Sequence, residues 1–323
     1  MDLDALTPAQ RRARTELLDL GGERPSFPAD LAAVLRDRLE DGIAPLAGDL
    51  GRGEVAVNKT RLADVMACER YQVEREQAGF DGWNPRIAHA TVAHKALELS
   101  VFLGGEPTPL DLVDAAIDRY VDSPDDPTGI GGWLRDAPAV ELAEVRAEAH
   151  ERVARFVESF PPLQRSWTPR PEARVRVDLC DERVVLRGKV DLALGAPKAT
   201  RARVLIVDFK TGPAYPSHVD DLRFYALLEA IRSGVPPWRV ASYYLDSATF
   251  RVEDITEDLL HQASDRVIDG VTRILELHLR RRDPGEVPNP ACGWCPARRA
   301  CDGARAWAES RDLQPDTAGE DDG

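Results

Sequence analysis

Apolar positions follow helical spacing through the first half of the chain and then shift to the runs and alternations of strands. The segment DLAAVLRDRLEDGIAPL, 30–46, has helical spacing. NKTRLADVMACERYQVERE, 58–76, sets Leu62, Val65 and Met66 at i, i+3 and i+4 and predicts one helix capped near Thr60. RIAHATVAHKALELSVFLG predicts a helix that ends at Gly104 and Gly105, and PLDLVDAAIDRYV another. SPDDPTGIGG, 123–132, reads as a loop, and VELAEVRAEAHERVARFVESF as a long helix stopped by Pro161 and Pro162. Three β-branched runs follow: ARVRVDLC, RVVLRGKVDLAL and RVLIVDFKT. A helix over 217–234, with Gly234 as its cap, then a strand RVASYYLD and a helix over 256–282 complete the pattern. The order implies a mixed α/β domain whose central sheet begins as a meander.

The chain has 323 residues, 43% hydrophobic and 30% charged, enough for one large domain or two small ones. No run is long and apolar enough to span a membrane, and the start lacks the apolar core of a secretory signal. The expectation is a cytoplasmic protein without membrane contact. A net charge of -14 argues against a protein that coats nucleic acid electrostatically. That charge is uneven: HLRRRDPGE and PARRACDGAR are basic, and the last residues are acidic and without apolar period.

In VLIVDFKTG, Asp208 and Lys210 stand two apart and so point to one side of the strand, with Phe209 on the other. The preceding strand carries Asp191 between Val190 and Leu192. If the two strands pair antiparallel, Asp191 lies beside Asp208. Facing carboxylates call for a cation, and oxygen ligands suit Mg²⁺ or Mn²⁺. A salt bridge from either aspartate to Lys210 at a solvated sheet end satisfies the same pattern.

The order Gly-x-x-Asp, then Asp-x-Lys-Thr-Gly, resembles the core of the PD-(D/E)XK nuclease superfamily in its RecB-like branch. The resemblance implies a restriction-endonuclease-like mixed sheet flanked by helices. It implies that Asp191 and Asp208 bind a catalytic Mg²⁺ or Mn²⁺, and that Lys210 activates the attacking water. The branch carries a helical histidine, and ATVAHKALE offers His94 as a further metal ligand, with Glu98 one turn on. Ala90 stands where the branch has glycine, and His89 lies off that face. A Gln-x-x-x-Tyr pattern is met by Asp221 and Tyr225, so aspartate replaces glutamine. That aspartate would repel a phosphate unless a cation or Arg223 intervenes. Tyr225 fits a DNA contact or a core aromatic. Glu172 resembles a supporting glutamate of the branch that precedes the first strand.

Five cysteines, an odd number, argue against a disulfide framework. Cys292, Cys295 and Cys301 in CGWCPARRAC form a metal hook, with Cys68 as the candidate fourth ligand and Cys180 a buried small hydrophobe. Spacing alone leaves zinc and iron–sulfur open. The layout resembles an iron–sulfur subset of the RecB-like nucleases, the AddB type and the CRISPR spacer-acquisition nucleases. That likeness implies a [4Fe–4S] cluster on Cys68, Cys292, Cys295 and Cys301.

The organisation expected is an N-terminal helical segment, 1–55, of unknown role, a nuclease domain, 56–305, and an acidic disordered tail, 306–323. The function expected is a metal-dependent DNA nuclease acting on single-stranded or end-containing DNA, in repair, recombination or defence. A non-catalytic DNA-binding or assembly subunit of a helicase–nuclease complex is the alternative. No Walker-type phosphate loop occurs, so any helicase would be a separate partner.

Overall fold

The computed structural model describes residues 5–105, 107–123 and 129–312. In chain order the elements are α1 (Pro8–Arg12), α2 (Leu31–Ala47), β1 (Val55–Val57), α3 (Lys59–Ala67), α4 (Glu69–Ala78), α5 (Pro85–Ser100), α6 (Pro109–Val121), α7 (Ile130–Asp136) and α8 (Ala139–Ser159). There follow β2 (Arg170–Leu179), β3 (Val184–Leu194), β4 (Leu205–Lys210), α9 (His218–Ser233), β5 (Arg239–Tyr244), β6 (Thr249–Asp254), α10 (Glu257–His278) and α11 (Asp302–Asp312). No helix among the described residues is long and apolar enough to cross a membrane.

The chain divides into two units. The first comprises Met1–Asp37, Gly82–Val177 and Arg187–Ser264. Within it β3 pairs antiparallel with β4 in the register Leu192↔Val207, β4 runs parallel to β5, and β5 pairs antiparallel with β6. Strand β2 also pairs with β3, so β2, β3 and β4 follow one another in space as a meander. All of β4 but Lys210 is buried, as a strand covered on both faces must be, which is why its run is continuously apolar. Helix α9 lies against β4 and β5, and α5, α6 and α8 pack on one another. The α8 rings reach the sheet: Phe156 meets Phe209 edge-on at 5.2 Å and Tyr243 at 5.8 Å. The mixed sheet flanked by helices is the fold class the sequence implies.

The second unit comprises Arg38–Asp81, Asp178–Leu186 and Asp265–Gly323. Here β1 runs parallel to the start of β3, in the register Val55↔Val184. Glu69, 7% exposed, accepts a bidentate pair from Arg282 at 2.5 and 2.8 Å and a bond from the Gly285 amide at 2.8 Å.

Several elements differ from the sequence pattern. The single helix expected over 58–76 is two. Cys68 takes an extended backbone, φ -166 and ψ 118, that ends α3 and starts α4, and the cap of α3 is Asn58 rather than Thr60. Helix α7 occupies part of the expected loop, of which 124–128 lie outside the described residues. Strands β1 and β6 are short, and β6 is largely exposed, so neither carries a clear apolar signal. Helix α11 takes the first residues of the expected tail, and 313–323 lie outside the described residues.

Candidate active site

The site grows from the end of β4. Asp208 is 1% exposed, and a carboxylate so placed costs several kcal/mol unless it is paired. Lys210 follows on the same side, and its ammonium lies 2.8 Å from Asp208 Oδ2. Continued one residue beyond Leu192↔Val207, the register sets Asp191 level with Asp208. Asp191 Oδ2 accepts the backbone amide of Phe209 at 2.7 Å, and its Oδ1 lies 3.3 Å from His94 Nδ1. Burial works against the charged imidazole of His94. The carboxylate of Asp191 outweighs it, with help from Asp208 and Glu172, and His94 is held above its ordinary value.

Around this group the remaining candidates take fixed places. Glu98 pairs with Lys95 at 2.6 Å. Glu172 lies within β2 rather than before it, at a positive φ of 51, and pairs with Lys189. Burial raises Glu172 above the usual carboxylate range despite Lys189, and the charges of Asp191 and Glu98 raise it further. Tyr225 is 2% exposed, and its hydroxyl donates to the Lys189 carbonyl at 2.8 Å. A Cβ at Gly188 would stand 2.5 Å from Cε1 of that ring. The glycine of the Gly-x-x-Asp run and the tyrosine of α9 are thus two halves of one contact.

Asp221 faces this site too. Its Oδ2 lies 2.9 Å from the Lys210 ammonium, so the lysine supplies the cation its carboxylate called for. Arg223 instead pairs with Glu253 on β6, at 2.5 and 2.9 Å. Sequence reasoning saw Asp221 as a departure from a pattern but not as a partner of Lys210. It missed Asp246 altogether. That residue follows β5 and accepts the amide of Gly212, which adopts φ 98 just after Lys210, while Arg152 holds its other oxygen at 2.7 Å. No local signal marks Asp246, because both its partners are distant in sequence.

Residues 57–302 match the PD-(D/E)XK nuclease superfamily. The chain belongs to that superfamily. Among solved structures, this PD-(D/E)XK protein resembles a candidate exonuclease from Eubacterium rectale at 12% identity, with 80% of this chain and 89% of that one covered and a TM-score of 0.44. It also resembles a protein named SSO0001 at 14% identity, over 68% of this chain and 97% of that one, with a TM-score of 0.30. At these values neither likeness bears on substrate. No curated protein sequence matches the chain.

Among the described residues of this PD-(D/E)XK protein, no group of three or more His, Cys, Asp or Glu side chains stands where it could hold a metal ion. At the sheet end His94 is turned onto Asp191, and Asp208 is drawn to Lys210. Cys68, Cys292, Cys295 and Cys301 form neither a [4Fe–4S] nor a zinc site, so the expected likeness to the iron–sulfur subset does not hold. All four are buried free thiols. Cys292, Cys295 and Cys301 pack with Ala297 and Ala304 under Tyr71 and Trp307. Burial raises the thiols of Cys295 and Cys301, and Cys68 and Cys292 lie near enough to raise Cys295 further.

Proposed function

We propose that this PD-(D/E)XK protein is a RecB-like deoxyribonuclease that hydrolyses phosphodiester bonds in single-stranded or end-containing DNA at the Asp191, Asp208 and Lys210 site. The observation that carries the reading is the meeting of these three residues, with His94, at the end of β4. Lys210 is the cation of the group. It meets the negative charge that develops on the phosphoryl oxygens, and it orients the attacking water. The bond from water oxygen to phosphorus forms as the bond to the 3′ oxygen breaks. A site carboxylate takes the water proton, the departing 3′ oxygen takes a proton from solvent water, and the products are a 5′ phosphate and a 3′ hydroxyl. Asp191 holds the Phe209 amide, and with it the strand between the two reacting side chains.

The test is cleavage of end-labelled single- and double-stranded DNA, and of matching RNA, across buffers with and without divalent cations. Asp208→Asn and Lys210→Met serve as comparisons. Cleavage by the wild type alone supports the reading, and the product ladder gives polarity. Binding of DNA without cleavage in any buffer would favour a DNA-binding subunit instead.

A further inference from the structure

The Lys210 ammonium is held from two sides. Asp208, two residues earlier on β4, takes it at 2.8 Å, and Asp221, on the first turn of α9, takes it at 2.9 Å. The lysine side chain is 13% exposed and the Asp221 side chain 15%, so the pair faces the site rather than open solvent. From this we infer that Asp221 is a positioning residue, which acts through Lys210 to set where the lysine charge meets the substrate phosphate. The inference rests on the nuclease reading above.

A lysine chain is flexible, and its ammonium carries three donors. Asp208 alone leaves that ammonium free to swing about one acceptor that lies deep in the sheet. A second acceptor on another element removes the swing and leaves one donor to face the phosphate. The clamp has an electrostatic cost. Two carboxylates around one ammonium leave the trio with a net negative charge beside the phosphate-binding region, which weakens the attraction of an anionic substrate. Asp221 thus favours placement of the charge over affinity. An uncharged amide at the same place would shift that balance, because Asn keeps an oxygen acceptor but loses the charge that grips the ammonium.

The two effects separate in kinetics. With Asp221→Asn, kcat is expected to fall about tenfold to a hundredfold, as for a misplaced catalytic group, while KM falls because a negative charge has gone. Asp221→Glu, which restores the charge, should recover part of the loss. A second readout does not need turnover. In ¹⁵N-lysine spectra the Lys210 ammonium should be protected from solvent exchange in the wild type and lose that protection in Asp221→Asn. Equal kcat in wild type and Asp221→Asn would overturn the inference. If the wild type cleaves nothing, the nuclease reading fails, and an unprotected Lys210 ammonium would then overturn the clamp as well.

Discussion

Asp191 and Phe209 are joined across two strands, the carboxylate of one accepting the backbone amide of the other at 2.7 Å. The bond ties the side chain of one candidate catalytic residue to the backbone between the other two. Asparagine in place of Asp191 keeps an oxygen for that amide but loses the charge beside His94. Asp191→Asn should therefore cost about 1 kcal/mol or less in stability, whereas Asp191→Ala, which strands the amide, should cost about 1–3 kcal/mol. Both should abolish cleavage. Urea denaturation with a parallel DNA cleavage assay separates the two effects.

Gly188 and Tyr225 form the second contact on which the site depends. A methyl group at 188 would sit 2.5 Å from the tyrosine ring, and the ring is buried, so it cannot yield freely. Gly188→Ala is expected to lower stability by about 1–3 kcal/mol through overpacking. Tyr225→Phe should cost about 1 kcal/mol, the bond to the Lys189 carbonyl. Thermal melts of both variants check the ranking. A neutral Gly188→Ala would mean that the ring has room to move.

Acid sensitivity should concentrate at Glu69. The Arg282 guanidinium holds its carboxyl below the ordinary value of 4.5, against the effect of burial and with help from the Gly285 amide. The folded value is the lower one, so the contribution is complete above about pH 4.5 and is lost as pH falls through the folded value. Glu69→Gln should destabilise the protein by about 2 kcal/mol at pH 7, from the loss of charged hydrogen bonds. Its stability should also fall less than the wild type's on acidification. Denaturant titrations from pH 7 to pH 3 test the slope.

Cys180 should resist alkylation. Burial and the adjacent Glu40 carboxylate push its thiol up to about 12, and Glu40 also accepts the Cys180 amide at 2.7 Å. At pH 8.5 iodoacetamide should label it about a hundredfold or more slowly than an ordinary thiol. Glu40→Gln should speed the reaction. Peptide mass spectrometry over a time course on the native protein reads both rates.

The site was legible in the sequence to the extent that strand alternation makes it so. Asp208 and Lys210 share a face because they are two apart, and Asp191 comes level with Asp208 because β3 and β4 pair antiparallel across one connection. His94, to which the family resemblance pointed, lies on Asp191. The thiol spacing of Cys292, Cys295 and Cys301 misled, because spacing describes reach and not the solvent around the sulfurs. The three pack with Ala297 and Ala304 under Tyr71 and Trp307 instead.

Local pattern determined the long helices α2, α5, α6, α8, α9 and α10, the central strands, and which residues stand at the end of β4, because periodicity and alternation act over a few residues. Tertiary structure decided what those residues touch. Asp221 meets Lys210 only because α9 lies on β4, Asp246 meets Gly212 only because β5 runs parallel to β4, and Cys68 breaks a helix that its sequence would continue. The first two are contacts between segments whose approach is set by packing, and no local signal in the chain encodes them.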